Sequence, residues 1–177
     1  FVGIIIGDGH LNSDTKRIVI ELTDLDLIIK IQKLIRSLFD LVPPIRPVID
    51  KRPNRKIKYR ISFTNSVIHR LLNSIFQIPT GKKADIVLVS SLIFKAKISC
   101  IKSFMIGYLV SDGGKRREEA GFSTASKQLW QDLNYLLFVL NIKYTQERWI
   151  NRKYNKEYYG TVFSKESLSL LMQEWRS

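Results

Sequence analysis

Cysteine is nearly absent from this chain of 177 residues: Cys100 stands alone. That excludes an internal disulfide framework and a zinc site built on cysteine. Its place in an apolar helical run leads us to expect a buried small residue. Histidine is scarce too, and His10 and His69 are too few and too scattered for a histidine-based metal site. Long hydrophobic runs are missing. The longest, Ile86 to Phe94, is broken by Ser90 and Ser91 and is too short to span a bilayer. No secretory leader is visible, so the expected location is intracellular, in the cytoplasm of a prokaryote or in an organelle. The chain starts at Phe1, inside a motif, and further residues are expected upstream. Acids are outnumbered, 16 against 29 Lys and Arg, which leaves a net charge of +13. Such an excess favours a polyanionic partner, nucleic acid ahead of membrane. With 45% hydrophobic residues the chain can bury a sizeable core, and its length suits one domain or two small fused halves.

One pattern occurs twice. Phe1-Val2-Gly3-Ile4-Ile5-Ile6-Gly7-Asp8-Gly9-His10 and Phe104-Met105-Ile106-Gly107-Tyr108-Leu109-Val110-Ser111-Asp112-Gly113-Gly114 are apolar, helix-length runs that end in an acid and a glycine. Gly3 and Gly7 lie four apart on one helix face, and Gly107 and Ser111 repeat the spacing. Small residues on a shared face let two helix backbones approach closely. Two such helices packed together would set Asp8 and Asp112 side by side. An acid at a helix C-terminus opposes the macrodipole, which points to a functional reason for it.

Gly3 to Gly9 and Gly107 to Gly113 resemble the LAGLIDADG signature of homing endonucleases, except that Ile6 and Val110 stand where an earlier aspartate is common. The resemblance covers essentially the whole chain. It implies an α+β fold of two pseudo-symmetric αββαββα halves, antiparallel sheets forming a saddle backed by helices. We expect an N-terminal half over 1–97 and a C-terminal half over 98–177, fused as one monomer with an internal pseudo-two-fold axis.

The intervening sequence agrees with that plan. Ile18, Ile20 and Leu22 alternate with polar neighbours, as in a half-buried strand. Asp24 caps a helix that Pro43-Pro44 stops, with Leu27, Ile28, Ile31, Leu34, Ile35 and Leu38 as its stripe. Ile45 to Asp50 reads as an edge strand, and Lys51 to Arg55 as a basic turn. Ile57, Tyr59, Ile61 and Phe63 then share one strand face, while Lys56, Lys58, Arg60 and Ser62 share the other. Asn65 or Ser66 starts a helix to Phe76 with Val67, Ile68, Leu71, Leu72 and Ile75 apolar. Ala84 to Phe94 reads as another helix. In the second half Gly121 to Ser126 is a strand, Lys127 to Asn141 a helix, Ile142 to Ile150 and Tyr158 to Ser164 strands, and Lys165 opens a last helix. Tyr59, Phe63 and Thr64 match Tyr159, Phe163 and Ser164, completing an internal repeat.

Two-stranded ribbons fit the major groove of B-DNA, where every base pair is distinguishable. The first-half contact candidates are Arg17, Glu21, Arg46, Lys56, Lys58 and Arg60, with Lys51, Arg52 and Arg55 at a loop tip. In the second half they are Arg116, Arg117, Ser123, Lys143, Thr145, Arg148, Arg152 and Lys153. Strand parity is less clear there, and Arg148 could face either way. Loop-tip cations suit phosphate, and strand cations suit guanine edges.

The family resemblance makes Asp8 and Asp112 metal ligands, helped by the backbone carbonyls of Gly7 and Ser111. Hard divalent ions held by one or two carboxylates are suited to phosphodiester hydrolysis. Mg²⁺ or Mn²⁺ is the expected cofactor, with Ca²⁺ as a non-cleaving substitute. Lys115 and Lys127 are the accessory catalytic candidates. The first-half position matching Ser126-Lys127 is Asp24-Leu25, so a first-half lysine would come from elsewhere, such as Lys82 or Lys83. The expected function is a monomeric homing endonuclease making staggered breaks in a long, near-palindromic double-stranded DNA site. Length and the single cysteine favour a free intron-encoded protein over an intein. The alternative is a maturase that binds its own intron RNA, and a transcription regulator on the same fold would be expected to lose an acid.

Overall fold

The two glycine-spaced runs are helices, and they pack on each other. This computed structural model describes residues 1–49, 56–116, 119–152, 155–164, 166, 167, 169 and 171; of 115, 116 and 119 it describes the backbone only. The first run is α1 (Val2–Gly7) and the second closes α5 (Ile98–Asp112). A Cβ placed on Gly3 would strike the backbone of α5, at the Phe104 carbonyl and 2.7 Å from the Tyr108 nitrogen. Only glycine permits that approach. One turn on, a Cβ on Gly7 would collide with Ser111 Oγ and stand 3.1 Å from Asp112 Cβ. Ile4, Ile5 and Ile6 on α1 and Phe104, Met105, Ile106 and Tyr108 on α5 are buried around this junction.

After α1 come β1 (Gly9–Leu11), β2 (Arg17–Leu22), α2 (Leu25–Phe39), β3 (Ile45–Val48), β4 (Lys58–Thr64) and α3 (Ser66–Arg70). After α4 (Ser91–Phe94) and α5 come β5 (Gly113–Arg116), β6 (Glu119–Thr124), α6 (Lys127–Val139), β7 (Thr145–Asn151) and β8 (Lys156–Ser164). The strands form two antiparallel four-stranded sheets of identical topology, β1-β2-β4-β3 and β5-β6-β8-β7. The fold is therefore α+β with a LAGLIDADG-like repeat of elements.

Each sheet has one face against helices. Ile18, Ile20, Leu22 and Ile61 are buried in the first, beside Ile28, Ile31 and Ile35 of α2. Ala120, Phe122, Tyr159, Thr161 and Phe163 are buried in the second, with Leu129, Leu133, Leu136 and Leu137 of α6. Each fully buried aliphatic side chain contributes about 1.5–3 kcal/mol. Helix starts match their caps. Asp24 accepts from the Leu27 amide at 3.0 Å, and Asn65 from the Val67 and Ile68 amides at 3.0 Å.

Three expectations are corrected. The helix after Asn65 is α for only five residues and then widens into a π turn at Leu71–Ile75, where the Phe76 amide donates to Leu71 O and the Ile78 amide to Leu72 O. Only Ile68 and Leu72 of its apolar set are buried; Val67 is 75% and Ile75 51% exposed. Residues 84–90 are not helical. Val87 and Val89 alternate inward while their backbone is held from the second half: Ser126 Oγ donates to Val87 O at 2.7 Å and the Val89 amide donates to Asp132 Oδ2 at 2.9 Å. Those outside partners replace the helical bonds. Cys100 is exposed, because it lies in the first turn of α5 with Ile101 and Phe104 facing inward. The basic turn 51–55 lies outside the described residues, as does most of the expected last helix.

Candidate active site and nucleic-acid face

Asp8 is the C-cap of α1, and Asp112 is the last residue of α5. The close helix contact brings the two carboxylates into one electrostatic field. Both retain solvent access at the rim, yet dense protein behind them strips part of their hydration. Burial, and then the charge of Asp112, pushes the Asp8 carboxyl up to about 6, against the pull of Lys83 and Lys58. Asp112 is raised by burial as well, with the Tyr108 hydrogen bond and Lys83 pulling the other way. The Tyr108 hydroxyl donates to Asp112 Oδ2 at 3.1 Å, and burial beside that acid holds the phenol well above its ordinary range. Tyr108 and Asp112 are four apart on one helix, a spacing visible in sequence.

Lys83 joins the acids from the segment between the halves. Its ammonium donates to the carbonyls of Ile5 and, at 2.7 Å, Ile6, so a cation caps the C-terminal end of α1. Burial lowers Lys83 to about 8, even though Asp112 and Asp8 both favour its charged form. Its segment is tied to β1 through the Gly81 amide and Leu11 O, and to α6 through Val87 and Val89. Lys127, by contrast, is exposed at the start of α6, and Lys115 is described only as backbone on β5.

The donor set fits a hard divalent cation. It consists of two oxygen-bearing groups whose charges burden each other. Gly7 and Ser111 precede the acids at helix ends, where carbonyls have no following turn to bond. Among the described residues no group of three or more His, Cys, Asp and Glu side chains gathers. An ion here would complete its coordination with backbone oxygen, water or substrate phosphate.

From this centre the open faces of the sheets spread outward. On the first, Glu21, Arg60 and Arg46 are consecutive cross-strand partners, and Lys58 pairs with Val48. Arg60 is tied to Glu21 through Nε at 2.6 Å and Nη2 at 2.5 Å. Arg17 sits at the β2 start opposite Thr64, and Lys56 is exposed just before β4. A hollow of about 510 Å³ between Asp8, His10, Arg17, Glu21, Lys58 and Arg60 opens on this face. His10 was not singled out from the sequence.

On the second sheet Ser123 and Thr145 share the open face, while Lys143 and Arg152 are exposed outside the strands. Arg148 does not join that face. It pairs with Tyr159, whose ring packs on Trp130 of α6, and its Nε meets Glu157 Oε1 at 3.1 Å. Arg116 is described only as backbone, and Lys51, Arg52, Arg55, Arg117 and Lys153 lie outside the described residues.

Comparisons with known proteins agree with this architecture. Residues 99–176 match the model of the LAGLIDADG-like domain family. The chain is 29% identical over 170 residues to the replication factor C small subunit of Methanocaldococcus jannaschii, covering 94% of this chain and 9% of that one. It is 26% identical over 168 residues to a probable translation initiation factor IF-2 of Thermococcus kodakarensis, covering 93% and 13%. It thus spans about a tenth of the length of these curated relatives. The homing endonuclease I-DmoI, solved in complex with DNA and Mn, superposes with a TM-score of 0.62 at 17% identity, covering 97% of this chain and 91% of that one. The homing endonuclease I-WcaI bound to its DNA recognition sequence superposes with a TM-score of 0.65 at 14% identity, covering 97% and 76%. Residues 99–176 thus resemble the LAGLIDADG-like domain family, and with two acid-tipped helices at its axis and a sheet on either side the whole chain has the fold of the homing endonucleases I-DmoI and I-WcaI.

Proposed function

We propose that this protein is a divalent-metal-dependent endonuclease that cuts both strands of a specific double-stranded DNA site. One observation carries the reading: Asp8 and Asp112, from different halves, meet at the helix junction, where burial and then the charge of Asp112 raise the Asp8 carboxyl to about 6, with Lys83 beside both. A pair of acids with that charge debt is suited to divalent ions and to phosphate. Asp8 and Asp112 would hold the metal, with the Gly7 and Ser111 carbonyls contributing. A bound Mg²⁺ or Mn²⁺ would acidify water and stabilise charge on the phosphate oxygens. The chain's own residues do the rest. Tyr108 fixes the Asp112 carboxylate through its hydrogen bond. Lys83, lowered toward neutrality, is placed to hold or release a proton as water adds to phosphorus and the ester P–O bond breaks. Lys115 and Lys127 keep accessory roles, and the open sheet faces hold the duplex in its major groove.

The curated relatives also bear on how the protein is carried. A replication factor and a translation factor have different roles, yet each contains a similar segment that fills a small part of its length. That distribution fits a module inserted in frame within host proteins better than a free intron product.

The test is cleavage of a supercoiled plasmid library of candidate insertion sites with Mg²⁺, Ca²⁺ or EDTA. We expect linear product with Mg²⁺, binding without cutting in Ca²⁺, and neither product nor nicks in EDTA. Linear product that persists in EDTA, or with Asp8 and Asp112 both changed to Asn, would overturn the assignment.

A further inference from the structure

The strand registers of the two sheets are superposable, so their open faces can be compared residue by residue. His10 pairs with Val19 as Gly114 pairs with Gly121. Glu21 pairs with Arg60, and Arg60 with Arg46; the same ladder in the second sheet is Ser123, Gly160 and Glu147. Lys58 and Val48 correspond to Tyr158 and Trp149. At these positions the first face carries three cations, and the second carries none.

What replaces them has its own shape. The Trp149 and Tyr158 rings stack, 15° from parallel with centroids 6.0 Å apart. The benzo edge of Trp149 lies over Gly160, where a Cβ would be 2.8 Å from Cζ3, so glycine is needed to let the ring lie on the sheet. Trp149 remains 37% exposed. Gly114 and Gly121 leave the strands nearer the axis bare, and a hollow of about 220 Å³ runs from Asp112 past them to Trp149.

We infer that this trough selects thymine: it receives the C5-methyl group of a thymine in the major groove of the second half-site, against Trp149. The inference rests on the duplex-binding reading above. Thymine is the base that presents a methyl group in the major groove, whereas guanine presents acceptors at N7 and O6 and calls for cationic donors. The first face has those donors in Arg46, Lys58 and Arg60. The second has an aromatic floor and bare glycine in their place. The two half-sites therefore differ in chemistry, and the whole site is not the near-palindrome that the repeated motif suggests.

The experiment selects binders from a randomised duplex library in Ca²⁺, so that no cutting is required. Thymine is expected at one or more positions of the half-site over β5–β8, with guanine enriched in the other. Replacing that thymine by deoxyuridine removes only the methyl, and should weaken binding by the wild-type chain about fourfold. Trp149→Ala should lose a similar factor on the thymine site and nothing further on the deoxyuridine site. The deoxyuridine comparison uses the unaltered protein, so it stands even if that variant is unstable. Guanine or no preference over the second sheet, or unchanged affinity for deoxyuridine, overturns the inference. Binding with the thymine preference but no cleavage in Mg²⁺ would remove the nuclease reading and leave this one standing; failure to bind duplex DNA would remove both.

Discussion

The two sheets share a topology and a register, but their open faces have diverged. Arg46, Lys58 and Arg60 on one correspond to Glu147, Tyr158 and Gly160 on the other. At the axis the halves stay alike: glycine-spaced helices, an acid at each tip, and glycine after it. The difference shows which constraints are shared. Backbone contact and a joint charge site bind the halves to a common geometry at the centre, while the open face of each sheet is free of that constraint.

The largest expected effect tests the likeness at the centre. Asp8→Asn and Asp112→Asn should each reduce double-strand cutting on the order of a thousandfold. If each acid serves one strand, residual nicks from the two variants fall on opposite strands, as strand-specific end labelling would read. Asp8→Asn should also stabilise the metal-free protein at neutral pH. The folded carboxyl has its pKa raised from 3.8 to about 6, so its favourable contribution is full below about pH 4 and lost as pH rises through 6. The melting-temperature advantage of the variant should therefore shrink as pH falls from 7 to 4. For wild type, adding Mg²⁺ at pH 7 should raise the melting temperature more than for the variant.

Next in size is Lys83→Met, expected to slow both nicks by on the order of a hundredfold and to remove a titration near pH 8 from the rate profile. A loss confined to one strand would mean that Lys83 belongs to one half only. Lys127→Ala should affect chiefly the nick belonging to its own half.

Gly3→Ala probes the shared backbone contact. Its methyl would overlap the Phe104 carbonyl, and we expect a loss of about 1–3 kcal/mol in denaturant unfolding. The same change at Gly114, where none of the described residues lies within 4 Å, should leave stability nearly unchanged.

The smallest effect contrasts the faces. Arg60→Ala should weaken duplex binding by about 1–3 kcal/mol, relax base choice at one first-half position, and flatten the salt dependence. Arg148→Ala, on the opposite sheet side and paired with Glu157, should change DNA affinity little in the same titration.

The doublet was legible because small residues every fourth position and a terminal acid are properties of one helix. The Asp24, Asn65 and Ser126 caps, the alternation along β2 and β4 and the match of Tyr59 to Tyr159 are equally local. What escaped depends on partners far away in the chain. Residues 84–90 look helical until Ser126 and Asp132 bond their backbone. The sequence offers Lys82 and Lys83 as alternatives for a first-half lysine, and they are told apart only when the fold carries Lys83 to Ile5, Ile6 and both acids. The facing of Arg148 follows from its pairing with Tyr159, a register that its own strand does not encode.

The near-contact of Gly3 with Phe104 and Tyr108 makes the molecule a caliper whose pivot contains almost no side chain. The open faces of the jaws can be rebuilt with other residues without altering the span of the pivot, because the sheet residues that meet the central helices, such as Phe122 against Tyr108, lie on the opposite, buried faces. A designer who wished to retarget one arm could therefore repaint that arm alone, and the offset between the two nicks should stay where the pivot sets it.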